Sequence, residues 1–287
     1  MRDGEYVLFT AAHNEEKLIV ETIRCVLSQT CRPREWVIVS DASTDRTDEI
    51  AKSFAWRHSF IQVLRVEREH GRNFQNKMFA LHTAYTRLKT REYRFIGNLD
   101  ADVSISPEYF ERLLDIFQLN DNLGIAGGVI YEHSAAPIAQ LPREYNRAVA
   151  HAAQVVRREC YEDIGGYPVL PYGGPDTYAE IAARMHDWTV QSFEDLPVTH
   201  HRASSSASGL IKGRFRQGCQ DFSFGYHPLF EAVKCIRRVT ENPLLFGSLL
   251  RFGGFLWSML LDRKPAVSKE FVVFLRREQI QRLCSFT

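Results

Sequence analysis

Two aspartates one residue apart, Asp100 and Asp102, close the apolar run Phe95-Ile96-Gly97. Like charges at that spacing repel unless something positive lies between them. Carboxylates are hard oxygen ligands suited to Mg2+ or Mn2+, and Mg2+ completes its octahedron with water and substrate phosphate. Residues i and i+2 of an extended chain project the same way, so both carboxylates can face one ion. Spacing alone leaves magnesium, calcium and chance open. An EF-hand would use Asp100, Asp102, Ser104, Ser106, Glu108 and Glu111, but Ile105 stands where its sharp turn needs glycine.

The elements that must carry this pair alternate. Tyr6–Thr10, Trp36–Val39, Ile61–Val66 and Arg94–Gly97 read as strands. Helical periodicity follows the first at Leu18/Ile19, Thr22/Ile23 and Val26/Leu27, the second at Ile50/Ala51 and Phe54/Ala55, and the third through Met78, Leu81 and Tyr85. After the fourth, Ser106 is expected to cap a helix that Pro107 opens. This order predicts an α/β fold with a mostly parallel sheet covered on both faces. Ligands of such sheets bind beyond the carboxyl ends of the strands. His13-Asn14-Glu15, Asp41, Arg72 and Asp100/Asp102 all fall there.

No GxGxxG and no GxxxxGK[ST] occurs, so glycine-amide phosphate cradles of those kinds are excluded. A bound diphosphate would be met by a metal and by arginine. Cys25, Cys31, Cys160, Cys219, Cys235 and Cys284 form no CxxC pair, which points to reduced thiols and no zinc site. The opening MRDGEYVLFTAAHNEE lacks the apolar stretch of a signal peptide, and the expected location is the cytoplasm. Net charge is +1, but from Lys212 onward 13 Lys/Arg face only 6 Asp/Glu. A basic tail on an acidic body suggests contact with an anionic surface. No motif that reads RNA or DNA is present, so no nucleic-acid partner is expected.

Ala11-Ala12-His13-Asn14-Glu15-Glu16 resembles the P-A-Y-N-E-E of family 2 glycosyltransferases, and Ser40-Asp41-Ala42-Ser43-Thr44-Asp45 resembles their D-D-G-S-T-D. Asp100-Ala101-Asp102 stands at their metal-binding D-x-D. Gln154–Arg158 with Ile164–Tyr167 is similar to the stretch before the acceptor site, and Gly174-Pro175-Asp176-Thr177 to the G-E-D-T that carries the catalytic base. His13, Ser40 and Pro175 replace the family's tyrosine, aspartate and glutamate.

The resemblance spans about residues 5–225 and implies the nucleotide-diphospho-sugar transferase (GT-A) fold. It also implies inverting transfer from a UDP- or GDP-linked sugar to a hydroxyl of a glycan or lipid-linked acceptor, in cell-surface polysaccharide or glycoconjugate synthesis. Carried over residue by residue, it assigns Asp176 as general base and Asp102 as ligand of Mg2+ or Mn2+. Ala12, His13, Glu15, Asp41, Arg72 and Asp100 are assigned to the donor. Residues 1–225 would form the transferase domain, 1–135 binding the nucleotide sugar and 136–225 the acceptor. Residues 226–287 would form a basic, apolar helical extension.

Processive relatives carry Q-x-x-R-W. Here Arg214-Phe215 could serve the acceptor end and diphosphate, but Ile211 replaces the glutamine, and addition of one sugar per encounter is expected. His200 and His201 follow a strand-like segment where some relatives place a further metal contact, and neither is assigned. Residues 244–261 are apolar with Arg251 near the middle. Leu245, Leu249, Phe252, Leu256 and Met259 fall on one helical face, and Gly247, Arg251, Gly254 and Ser258 on another, as in a helix lying in an anionic membrane interface. A helix packed on the protein or a dimer seam is the alternative. Two other functions share the fold. A sugar-nucleotide-forming nucleotidyltransferase usually has a Gly-rich basic first loop, whereas this one is acidic. A binding protein that has lost catalysis would be consistent with Ser40 and Pro175.

Overall fold

The computed structural model describes residues 4–67, 74–132, 148–202, 209–240 and 243–284. Two compact units appear, 1–169 with 175–203, and 170–174 with 204–287. In the first, eight strands among the described residues form one mixed sheet: β1 (Tyr6–Ala12), β2 (Glu35–Asp41), β3 (Ile61–Val66), β4 (Phe95–Leu99), β5 (Val103–Ile105), β6 (Leu123–Glu132), β7 (Ala153–Arg157) and β8 (Thr189–His200). Their spatial order is β3-β2-β1-β4-β7-β6-β8-β5. β1 to β4 pair in parallel, as do β6 and β8, while β7 and β5 pair antiparallel with their neighbours. The expectation of a mostly parallel sheet flanked by helices is met.

The central strands are apolar because they are covered on both faces; every residue of β2 and β4 is buried. Among the described residues six helices flank this sheet: α1 (Ile19–Leu27), α2 (Thr47–Ala55), α3 (Phe74–Thr86), α4 (Tyr109–Leu119), α5 (Arg158–Asp163) and α6 (Pro175–Met185). Helix α1 buries Ile19, Thr22, Ile23 and Val26, the i, i+3, i+4, i+7 face of an amphipathic helix. Gly128 lets β6 and β8 close: a β-carbon there would sit 1.8 Å from the Leu196 carbonyl oxygen.

The start of α4 differs from expectation. Ser106 and Pro107 lie in a turn, and the helix begins at Tyr109. Gln29 supplies the end group instead. Its Oε1 accepts from the Phe110 N–H at 3.2 Å, and its Nε2 donates to the Ser106 carbonyl at 2.7 Å. A residue 81 positions away caps the helix, which local sequence does not reveal.

The second unit contains α7 (Leu210–Ser223), α8 (Pro228–Arg237), α9 (Phe246–Leu260) and α10 (Lys269–Cys284). Helices α7 and α9 meet backbone to backbone. A β-carbon at Gly218 would lie 1.8 Å from the Arg251 carbonyl oxygen, and one at Gly254 2.1 Å from that of Phe215. Helix α9 therefore turns its small and polar face inward, burying Gly247, Ser248, Arg251, Gly254 and Ser258. The Arg251 charge is answered inside: its Nε donates to Asp221 at 2.7 Å and lies 3.4 Å from Glu231. Lys234 donates to the other Asp221 oxygen at 3.0 Å. Phe246, Leu249, Trp257, Met259 and Leu260 are left exposed. Among the described residues no helix is long and apolar enough to cross a membrane.

Candidate active site

The loops after β1 and β2 are tied to each other before any ligand arrives. Asn14, in the left-handed region at φ 55°, accepts the Thr44 N–H on its side-chain oxygen at 2.8 Å. The Ser43 hydroxyl accepts the Asn14 N–H at 3.2 Å, and the Thr47 hydroxyl the Glu15 N–H at 2.8 Å. His13 Nδ1 lies 2.5 Å from the Asp41 carbonyl oxygen. A carbonyl only accepts, so Nδ1 carries the proton and Nε2 is left as an acceptor. Ala12 and Asp41 end their strands buried. His13, Glu15 and Asp41 thus belong to one paired-loop platform.

Asp100 and Asp102 are not extended. β4 ends at Leu99, and Ala101 and Asp102 form a turn before β5. Strand β5 then pairs antiparallel with β8, Val103 opposite His200, which brings an imidazole beside the two carboxylates. One ligand atom from each of Asp100, Asp102 and His200 lies within 4.8 Å of the others. His200 Nε2 stands 3.2 Å from Asp102 Oδ1. That hydrogen bond and the nearby carboxylates raise the His200 pKa, against the effect of burial. His201 lies just past the end of β8 and has other partners. Its Nε2 lies 2.6 Å from the Ser104 hydroxyl and 3.7 Å from Glu21. The neighbouring histidines thus have different surroundings.

Two cations that local sequence did not mark complete the cluster. Lys77 of α3 donates to Asp100 Oδ1 at 2.5 Å. Burial would raise the Asp100 pKa, but this ammonium, with His200, holds it below the usual carboxylate value. Arg202 grips Glu15 with two hydrogen bonds, 2.9 and 2.7 Å, and its Nε is 4.0 Å from Asp102 Oδ2. Glu15 is 4% exposed, so this pair is a strong positional tie between the first loop and the chain after β8.

Asp176 is the second residue of α6, near the positive end of the helix dipole. Its Oδ1 accepts the Thr177 N–H at 2.8 Å. Burial raises its pKa; the Thr177 N–H and Lys77 oppose the rise, and the Asp100 charge adds to it. Asp176, Lys77 and Asp100 are therefore within electrostatic reach of one another.

Arg72 lies outside the described residues. Arg214 and Phe215 lie on α7 of the second unit, where Arg214 donates to Gln217 at 3.3 Å and Phe215 is 36% exposed.

Two carboxylates and an imidazole form a chemically suitable cation site. The neighbouring Lys77 and Arg202 supply positive charge beside it. Such a set of side chains, near the carboxyl ends of parallel strands where these sheets bind ligands, could hold a divalent ion.

The model of glycosyl transferase family 2 matches residues 8–164. The chain belongs to that family. It is 31% identical over 119 residues to a poly-beta-1,6-N-acetyl-D-glucosamine synthase of Staphylococcus epidermidis, 41% of this chain and 26% of that one. It is 30% identical over 123 residues to the uncharacterized glycosyltransferase EpsJ of Bacillus subtilis, 43% of this chain and 33% of that one. These matches span about a quarter to a third of the relatives' length.

In structure, the chain resembles the mannosyltransferase PcManGT from Pyrobaculum calidifontis in complex with GDP-Man and Mn2+. The TM-score is 0.59 at 17% identity, covering 98% of this chain and 81% of that one. It also resembles S. aureus TarS 1-349 in complex with UDP-GlcNAc, with a TM-score of 0.56 at 16% identity, covering 88% of this chain and 71% of that one. These likenesses support the GT-A fold.

Proposed function

We propose that this glycosyltransferase moves a sugar from a UDP- or GDP-linked donor to a hydroxyl of a glycan or lipid-linked acceptor, inverting the anomeric carbon. The observation that carries the proposal is the convergence of Asp100, Asp102 and His200 within 4.8 Å, with Asp176 in electrostatic reach of Asp100. Asp102 and His200 would hold a divalent metal, and an imidazole in the set favours Mn2+ over Mg2+. The bound ion would stabilise the charge that develops on the leaving diphosphate. Lys77 places a second positive charge there and fixes one oxygen of Asp100, leaving the other to face the donor. His13, Glu15, Asp41, Ala12 and Arg72 form the nucleotide side of this scheme. Asp176 takes the proton of the acceptor hydroxyl, and its raised pKa makes its carboxylate a stronger base. Arg214 and Phe215 are assigned to the acceptor end, and one sugar is added per encounter.

A thermal-shift screen of UDP- and GDP-sugars with and without Mn2+ tests this. At least one donor should raise Tm only when metal is present. No shift with any donor and metal would refute the scheme.

The outward apolar face of α9 favours a second assignment, peripheral association with the inner face of an anionic membrane. An ordinary surface helix buries its apolar stripe; α9 buries its polar one. Arg237, Arg238, Arg263 and Lys264 stand near its ends in sequence, as anionic headgroups favour. The full chain should co-sediment with vesicles containing anionic lipid, and replacing Leu249, Trp257 and Leu260 with serine should weaken this at least about tenfold. Equal sedimentation with and without vesicles would discard the assignment.

A further inference from the structure

His151 lies just before β7, and the scheme above gives it no role. Its side chain is 6% exposed, and both ring nitrogens lack a hydrogen-bond partner among the described residues. Native proteins rarely bury a donor this way, because the group gives up water without replacement.

The idle nitrogens are not the result of a loose segment. The Val149 N–H donates to Glu180 at 2.6 Å, and Gln154 Nε2 donates to the Val149 carbonyl at 3.1 Å. The Tyr167 hydroxyl donates to Gln154 Oε1 and accepts from Asn98 Nδ2 at 3.1 Å. The Tyr167 ring meets the imidazole edge-on at 4.7 Å between centroids. The residue after His151 places it at the site, since the Ala152 carbonyl accepts the Asp100 N–H at 2.8 Å. The backbone is therefore fixed at both ends of a polar ring that has no hydrogen-bond partner among the described residues.

Charge narrows what could complete it. Burial and the Lys77 ammonium push the His151 pKa down to about 3, with Asp100 pulling the other way, so the ring is neutral at ordinary pH. A neutral imidazole offers one donor and one acceptor. A phosphate only accepts and is better met by Lys77 or a metal. A hydroxyl both donates and accepts; a nucleotide-sugar donor carries hydroxyls on its ribose and on the transferred sugar, and of the two the transferred sugar is at the reacting end, where the scheme sets Asp100 and the metal.

We propose that His151 is a specificity-determining residue that hydrogen-bonds a hydroxyl of the sugar being transferred. This rests on the nucleotide-sugar scheme. A site built to bond a hydroxyl discriminates strongly, because a sugar lacking it leaves the buried group unpaired.

Titration calorimetry with Mn2+ and no acceptor tests it, using UDP, UDP-GlcNAc, GDP and GDP-Man against the wild type, His151→Phe and His151→Gln. The quantity compared is the affinity of each nucleotide sugar relative to its own nucleotide. His151→Phe should reduce that ratio about tenfold for the donor the wild type prefers. Glutamine, which keeps a donor and an acceptor, should restore part of it. Binding of the bare nucleotide should not change. If phenylalanine prevents folding, His151→Leu takes its place beside the glutamine variant. An unchanged ratio in the apolar variant, with a raised Tm from removing a buried polar group, would make His151 a packing residue and overturn the proposal. Equal losses for nucleotide and nucleotide sugar would overturn it too. If the wild type binds neither nucleotides nor nucleotide sugars with Mn2+, the underlying scheme fails, and the inference falls with it.

Discussion

Asp176→Asn should lower sugar transfer by about 10^3-fold while leaving metal-dependent donor binding near the wild-type value. Asparagine keeps the shape and still offers an oxygen to the Thr177 N–H, but it cannot take a proton. The loss should fall on kcat rather than on donor affinity. The wild-type pH profile gives an independent check. A base works only when deprotonated, so activity should fall as pH drops through its pKa. Burial raises the Asp176 pKa above the ordinary aspartate value, so the acidic limb of kcat should lie above the range of a free carboxylate. Steady-state rates at several pH values would show this, and Asp176→Asn should remove that limb from the residual rate. Wild-type turnover in this variant would favour a fold that binds without the assigned base, or a different base.

Asp102→Asn should have an effect of similar size through a different step. The carboxylate lies 3.2 Å from His200 Nε2 and within 4.0 Å of Arg202. Amide in place of carboxylate removes the charge that would hold a divalent ion. Leaving-group stabilisation worth several kcal/mol would go with it, or about 10^3-fold in rate. Donor binding should weaken as well, unlike in Asp176→Asn. His200→Ala should show the same pattern, with at least about a tenfold loss of Mn2+ affinity measured by titration. Normal metal-dependent donor binding in both variants would remove these residues from the metal site.

Much of this arrangement could be read from the chain. β1, β2 and β4 are covered on both faces, so they appear as continuous apolar runs, and the residues that break those runs mark the ligand-facing edge. Asp41, Asp100 and Asp102 were visible for that reason. Lys77 was not, because its role depends on where α3 packs; beside Asn76 and Met78 it looks like any surface lysine. His200 depends on the pairing of β5 with β8, elements 98 residues apart at the Asp102 contact. The Arg202–Glu15 tie spans 187 residues. Long-range antiparallel pairing has no local mark, and a three-residue strand such as β5 is too short to show a period.

The α9 segment shows the same division. Its two faces were legible from spacing, including the grouping of Arg251 with Gly247, Gly254 and Ser258. Which face turned inward was not, since burial of the polar one depends on Asp221 and Glu231 being ready to receive the guanidinium.

The most direct test of the central claim is release of free nucleoside diphosphate from the donor that shifts Tm, followed with Mn2+ and again with excess chelator, in the wild type, Asp102→Asn and Asp176→Asn. The arrangement of Asp102, His200 and Asp176 predicts release by the wild type with metal, almost none with chelator, and about 10^3-fold less in each variant. Equal release with chelator, or wild-type release from both variants, would contradict it.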